Sequence, residues 1–178
     1  MDDLRIPADS VDLREGPDLH PALSPFLPLI GVWRGVGKGG YPTLASDFDY
    51  GQQVRFAHDG RPFLCYEARS WLLSAEGEVI RPAAREVGWW RPGQDGEFEV
   101  LLAYPTGIVE VYLGVQKSVT QWEMSTDVVA RTPTAKEVTA NHRLYGVVEG
   151  DLLYAVDMAA VGQPLQPHLS ARLSRVAG

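Results

Sequence analysis

From Gly31 onward no apolar period of 3.6 residues is sustained for three helical turns; strand-length segments recur instead between turn signals. The candidate strands are 31–38, 46–58, 62–73, 78–91, 95–104, 107–116, 119–129, 136–147, 150–160 and 167–176. Their joints carry turn chemistry, as in Asp59-Gly60, Glu76-Gly77, Pro92-Gly93, Asp95-Gly96, Pro105-Thr106-Gly107 and Glu149-Gly150. Valine and aromatic residues fill the segments between them. A run of about ten strands joined by tight hairpins leaves two edges of unpaired backbone, and closing the sheet removes both. The pattern predicts an all-β fold, a ten-stranded antiparallel up-and-down β-barrel, with a two-sheet β-sandwich as the alternative. A barrel of that size encloses a cavity, because about eight strands already leave room for a small ligand.

A chain of 178 residues suits one domain. Residues 1–20 are polar and acidic, with Pro7 and Pro17, and read as a loosely ordered leader without a core of its own. That assigns 21–178 to the barrel domain. The stretch 21–30 holds Pro21, Pro25 and Pro28, too many for a long helix. It is apolar enough to plug the barrel as a short helical or 3-10 turn.

Sixteen Lys and Arg against 23 Asp and Glu give a net charge of −7, which argues against a nucleic-acid partner. No run reaches the roughly 18–20 apolar residues of a membrane span, and the N-terminus lacks the basic start and apolar run of a signal peptide. A cytoplasmic protein without membrane contact is expected. Cys65 is the single cysteine, so no internal disulfide forms and Cys-rich zinc sites are excluded. It lies in the apolar run Phe63-Leu64-Cys65-Tyr66 and reads as a small buried hydrophobe rather than a reactive thiol.

The most distinctive segment is Gly31-Val32-Trp33-Arg34-Gly35-Val36-Gly37-Lys38-Gly39-Gly40-Tyr41-Pro42. Glycines at 31, 35, 37 and 39 share one parity of a strand, which lets the sheet bend or another group approach its backbone. A dinucleotide loop is excluded, because no strand-then-helix context surrounds Gly35 and Gly37. Of four histidines, His20 falls in the leader, His142 on a polar strand, and His58 before a turn, where it caps the turn or lines a barrel mouth. His168 differs. It follows the proline-stiffened 162–167 loop and opens the last strand, a place at the barrel rim where a rigid approach would hold its imidazole still.

The segment 31–42 fits Gly-x-Trp-x-Gly-x-Gly-x-Gly-x-Tyr-Pro and resembles the signature of the nitrobindins, ferric haem-binding β-barrels, most of all their actinobacterial members. The resemblance continues through Thr43-Leu44, Phe56-Ala57-His58-Asp59-Gly60-Arg61-Pro62-Phe63-Leu64, Pro133-Thr134-Ala135-Lys136-Glu137-Val138-Thr139 and the 160–169 segment, so it covers nearly all of 22–176. Val36, Lys38 and Gly40 depart from it, standing where the family often carries charge.

This resemblance implies a barrel shaped like fatty-acid-binding proteins and lipocalins, holding one ferric haem b per subunit in its open end. It makes His168 the axial iron ligand and catalytic centre; relatives lacking that histidine are not expected to bind haem in the same way. It implies isomerisation of peroxynitrite to nitrate, reversible nitric oxide binding, and a homodimer. Lys136 and Arg143 are candidates for the propionates and equally for surface ion pairs; Thr43 lines the haem edge or is a satisfied turn residue. The second imidazole nitrogen needs a partner, for which a carbonyl of the 160–167 loop is expected. Two other classes use the same barrel: a nitric oxide carrier or sensor without turnover, and a haem-free carrier of a small hydrophobic ligand.

One feature runs against a regular last strand. His168 shares its parity with Ser170, Arg172 and Ser174, while Leu169, Ala171 and Leu173 form the apolar set. Either the strand begins after His168 or a bulge after Pro167 reverses the side-chain direction.

Overall fold

The ten strands close on one another in the ring order β1-β10-β9-β8-β7-β6-β5-β4-β3-β2, in a computed structural model that describes residues 7–178. They are β1 (Gly31–Gly39), β2 (Phe48–Ala57), β3 (Leu64–Leu73), β4 (Val79–Pro92), β5 (Glu97–Tyr104), β6 (Ile108–Ser118), β7 (Gln121–Arg131), β8 (Val138–Val148), β9 (Asp151–Ala160) and β10 (Gln166–Ala177). Each pairs antiparallel with its neighbour in sequence, and β1 closes the ring on β10 from Val32↔Ala177 to Gly39↔Leu169. Closure rules out the sandwich. The turn dipeptides explain the tight connections: Glu149 and Gly150, with φ of 53° and 86°, form a two-residue hairpin loop whose twist matches the strands it joins.

Alternate residues fill the interior. Tyr50, Val54 and Phe56 of β2, Val100 and Leu102 of β5, and Leu152, Tyr154 and Val156 of β9 are all buried. A 3-10 helix, Pro21–Leu29, plugs one end with Leu23, Phe26 and Leu29. Its carbonyls, which a proline-rich turn leaves without internal donors, accept from the barrel: Trp33 Nε1 donates to Leu29 O (2.8 Å), while Trp122 Nε1 and Gln116 Nε2 donate to Pro25 O (3.2 and 3.0 Å). Phe26 meets Trp90 and Phe98 edge-on, and Trp90 stacks on Phe98 at 5.3 Å.

The leader corrects an expectation. Residues 1–6 lie outside the described residues, but from Pro7 the chain is not loose. Ser10 bridges His58 through two backbone hydrogen bonds of 2.7 and 2.9 Å, and Arg55 donates to Asp9 O at 3.0 Å. The Ser10 hydroxyl closes the leader on itself by donating toward Asp12 O and Glu15 O. Backbone pairing beyond the end of β2 thus orders a segment that has no apolar core. Among the described residues no helix is long and apolar enough to cross a membrane.

A charged layer crosses the interior between the plug and the opposite end. Arg143 pairs with Glu86 through Nη1 (2.9 Å) and Nη2 (3.1 Å). Its remaining donors reach Tyr112 (3.0 Å), Tyr145 (3.2 Å) and Tyr104 (2.6 Å). Glu110, also buried, accepts from Tyr104 and Tyr112, both at 2.6 Å, and from Asn141. Every polar atom of this layer has a partner, the condition for keeping three charges out of water.

Candidate functional site

The end away from the plug is built by the glycine-rich strand and the last strand together. At Gly37 a Cβ would lie 2.6 Å from the Tyr50 hydroxyl and collide with the Ser170 carbonyl, so glycine is required for β10 and Tyr50 to come this close. Tyr50 then donates to Ser170 O (3.1 Å) and shares a 2.6 Å hydrogen bond with Tyr154. Trp33 is wholly buried under the Arg175 guanidinium, 4.2 Å from its ring. Gly31, Trp33, Gly35 and Gly37 therefore shape wall and plug.

β10 meets β9 with a register shift: Pro167 pairs with Asp157, Leu169 pairs with Val156, and His168 is the extra residue between them. The bulge resolves the parity conflict, since Leu169, Ala171 and Leu173 keep the core side while His168 is re-aimed. Gly40 and His168 hold each other reciprocally. Gly40 N donates to His168 O (2.9 Å), and His168 Nδ1 lies 3.0 Å from Gly40 O. A carbonyl only accepts, so Nδ1 carries the proton and Nε2 keeps its lone pair. The partner is thus Gly40, in the turn after β1, and not the expected 160–167 loop.

Tyr41 buttresses the imidazole edge-on, 5.4 Å between centroids at 75°. Its hydroxyl accepts from Ala160 N (2.8 Å) and donates toward Met158 O (3.0 Å), tying the turn to the end of β9. Pro42 fixes that turn, closed by Leu44 N donating to Tyr41 O at 2.9 Å. Burial holds the His168 imidazole below its ordinary value of 6.5; the Gly40 bond opposes this, and the charges of Lys136 and Arg143 add to it. The ring is therefore neutral at pH 7.

His168 and Tyr41 line a cavity of about 990 Å³ whose other walls include Phe48, Leu72, Leu73, Ile80 and Leu169. The volume stands at the upper end of small-molecule sites. The β3–β4 hairpin supplies Leu72, Leu73 and Ile80, so a projecting hairpin roofs what the barrel leaves open.

The other expected residues fall at different depths. Thr43 is exposed in the turn and does not line the cavity; Lys136 is exposed on the approach to β8 and forms no ion pair among the described residues. Arg143 requires a correction: it is no rim cation, because it is buried and its donors are occupied by Glu86 and three tyrosines. His20 caps the 3-10 helix, its Nδ1 accepting from Ala22 N at 3.2 Å. His142 faces Glu123, 3.0 Å away. His58 lines neither mouth nor turn surface; it is fully buried, with both ring nitrogens unpartnered among the described residues. Gly40 and Tyr41 were named only as positions of the glycine-rich segment, and Glu86 was not singled out. Glu110 could have been, as an acid on the apolar parity of Ile108 and Tyr112.

A family model described as "THAP4-like, heme-binding beta-barrel domain" matches residues 22–175. The chain belongs to this family. The nitrobindin resemblance of 31–42 and 160–169 is thereby upheld, and relatives agree over nearly full length. A protein of Salinispora arenicola named peroxynitrite isomerase is 62% identical over 175 residues, 96% of this chain and 88% of its own. A ferric nitrobindin-like protein of Saccharopolyspora erythraea is 51% identical over 179 residues, covering 100% of this chain and 84% of its own. The crystal structure of Rv2717c from M. tuberculosis superposes with a TM-score of 0.79 at 41% identity, over 89% of this chain and 99% of that one.

Proposed function

We propose that the chain holds haem b, one per subunit with ferric iron, beside His168, and that it isomerises peroxynitrite to nitrate there and binds nitric oxide reversibly. The observation that carries this reading is a neutral imidazole, fixed through Nδ1 by Gly40, on the wall of a cavity of about 990 Å³. The donor set fits the group. Haem would need few ligands from the protein, and the neutral His168 imidazole would supply one.

His168 Nε2 would hold the haem iron, and the cavity beside it would admit small ligands. Gly40 fixes the tautomer, and Tyr41 limits rotation of the ring. Phe48, Leu72, Leu73, Ile80 and Leu169 exclude water from the macrocycle. Lys136, whose charge is felt at His168, would meet a propionate. Arg143 acts only through the buried layer. Bound haem supplies the iron chemistry for the rearrangement of peroxynitrite, and the protein supplies the ligand and the shielded site. No general acid–base pair is needed. A cytoplasmic setting agrees with Cys65, a thiol that burial and then the charge of Asp9 push up to about 11.

Stopped-flow decay of peroxynitrite tests the activity. Acceleration in proportion to hemin-loaded protein, with nitrate as product, is expected. Decay at the buffer rate with nitric oxide binding intact would leave carriage or sensing as the function.

A further inference from the structure

Only half of β4 belongs to the barrel wall. It pairs with β5 from Val87↔Ala103 to Pro92↔Phe98, whereas among the described residues Val79 to Glu86 have β3 as their sole partner strand. With the end of β3 this stretch forms an arm, residues 70–86, that stands beyond the ring. Burial follows the change. Leu64, Tyr66, Ala68 and Ser70 of β3 are buried, but every residue from Ala75 to Arg85 is exposed, Val79 by 63% and Ile80 by 61%. Neither face of the arm has a core behind it, and two strands alone are marginal in water. Its tip is nonetheless well formed. Ser74 N donates to Glu78 O at 2.9 Å, Gly77 N donates to Ser74 O at 3.0 Å, and Gly77 takes φ 85°, which glycine adopts without strain.

The weakness lies at the base. Arg69 pairs with Arg85 and Trp71 with Pro82, so three steps on β4 face two on β3. The extra residue breaks the ladder, and Pro82 has no N–H to give it. A side chain fills in: Ser70 Oγ accepts from Ala84 N at 3.1 Å. Ala83 and Ala84, small and exposed, complete the joint. The tip has room to move. On one side Leu72, Leu73 and Ile80 wall the His168 cavity; on the other Leu73, Ser74 and Ala75 border a hollow of about 730 Å³ that reaches Val36 and Leu153. Among the described residues no atom lies within 4 Å of where a Gly77 Cβ would stand. The other strands that wall the cavity, β1, β2, β9 and β10, are each paired on both sides, and the Tyr41 turn is tied to β9. The arm is thus the wall that can yield without breaking the ring. We propose that residues 70–86 are a lid on the His168 cavity, hinged at Ser70 and the Ala83-Ala84 pair, whose opening gates the passage of a flat macrocycle. Rigid tip, weak base and free space on both sides are what a hinge motion requires. The gating rests on the haem reading; the hinge does not.

Two measurements on the full chain test this. Amide hydrogen exchange of the hemin-free protein, read by mass spectrometry, compares the two halves of one hairpin. Amides of 71–82 are expected to exchange as a block about tenfold faster than those of 64–69, and to slow when hemin is added. Stopped-flow uptake of hemin and its transfer to a scavenger protein are then measured for wild type, Ser70→Ala and Ala83→Gly. Ser70→Ala removes the acceptor of Ala84 N; Ala83→Gly loosens the same joint at an exposed position, so it keeps the test open if Ser70→Ala misfolds. Uptake and release should both be faster by about threefold or more, with the Soret spectrum unchanged. Faster release at unchanged uptake would make the arm a fixed wall and overturn the proposal. So would rates equal to wild type, or 71–82 exchanging in step with 64–69. A fast 71–82 block in a chain that takes up no hemin would uphold the hinge and remove the haem reading together with the gating that rests on it.

Discussion

His168 Nδ1 and the carbonyl oxygen of Gly40 lie 3.0 Å apart although 128 residues separate them in the chain. The contact exists because β1 and β10 close the barrel at one place, and because a bulge at His168 turns its ring toward the turn that β1 enters. Tyr41 locks that turn. Tyr41→Phe keeps the ring against His168 but leaves the Ala160 N–H without its acceptor, which costs about 1–3 kcal/mol. Urea denaturation should show that loss, and hemin transfer to a scavenger protein should be faster than from wild type.

Removing the guanidinium of Arg143 leaves Glu86 and Glu110 facing each other's charge in a buried layer. Arg143→Met should cost about 3–5 kcal/mol by urea denaturation. Adding Glu86→Gln to it should recover part of the loss, because one stranded charge goes with it. Equal stability of the two variants would show that the layer is hydrated and not sealed.

Val161 sits at φ 51° in the hairpin after β9, a left-handed conformation that a β-branched side chain tolerates poorly. Gln163 N still closes the turn onto Ala160 O at 2.9 Å. Val161→Asn should therefore raise stability by about 1 kcal/mol, measured as a higher urea midpoint at unchanged slope.

The buried imidazole also makes a pH prediction for the apo-protein. In the folded state His168 is held below its ordinary 6.5, so the unfolded chain takes up the proton first as pH falls. Its contribution is complete above 6.5 and declines as pH drops below that value. Between pH 7 and pH 5 wild type should lose more stability than His168→Gln, which has nothing to titrate there. Parallel pH profiles would place the ring in solvent.

Strand number, order and boundaries were legible because hairpin turns and period-two alternation are local signals, and each observed strand end lies within two residues of its predicted place. The place of His168 at the start of the last strand was legible through the prolines before it, and its bulge through the parity conflict along 168–175. Arg143 was misplaced because a charged residue in a strand reads as exposed until its partners are known. Glu86 lies 57 residues away and Glu110 lies on another strand. The role of Gly40 was not legible because it acts through a backbone carbonyl, which every residue has. The order of the leader rests on backbone pairing with His58, which leaves no side-chain pattern to read.

The most direct test of the account is hemin titration of wild type and His168→Ala, followed at the Soret band. Wild type should bind one hemin per chain tightly with the spectrum of an imidazole-ligated ferric haem, and that signature should vanish in His168→Ala while its fold persists. The same spectrum and affinity in both proteins would contradict the assignment of His168. Failure of wild type to bind hemin would contradict the account as a whole and leave the cavity to a small hydrophobic ligand.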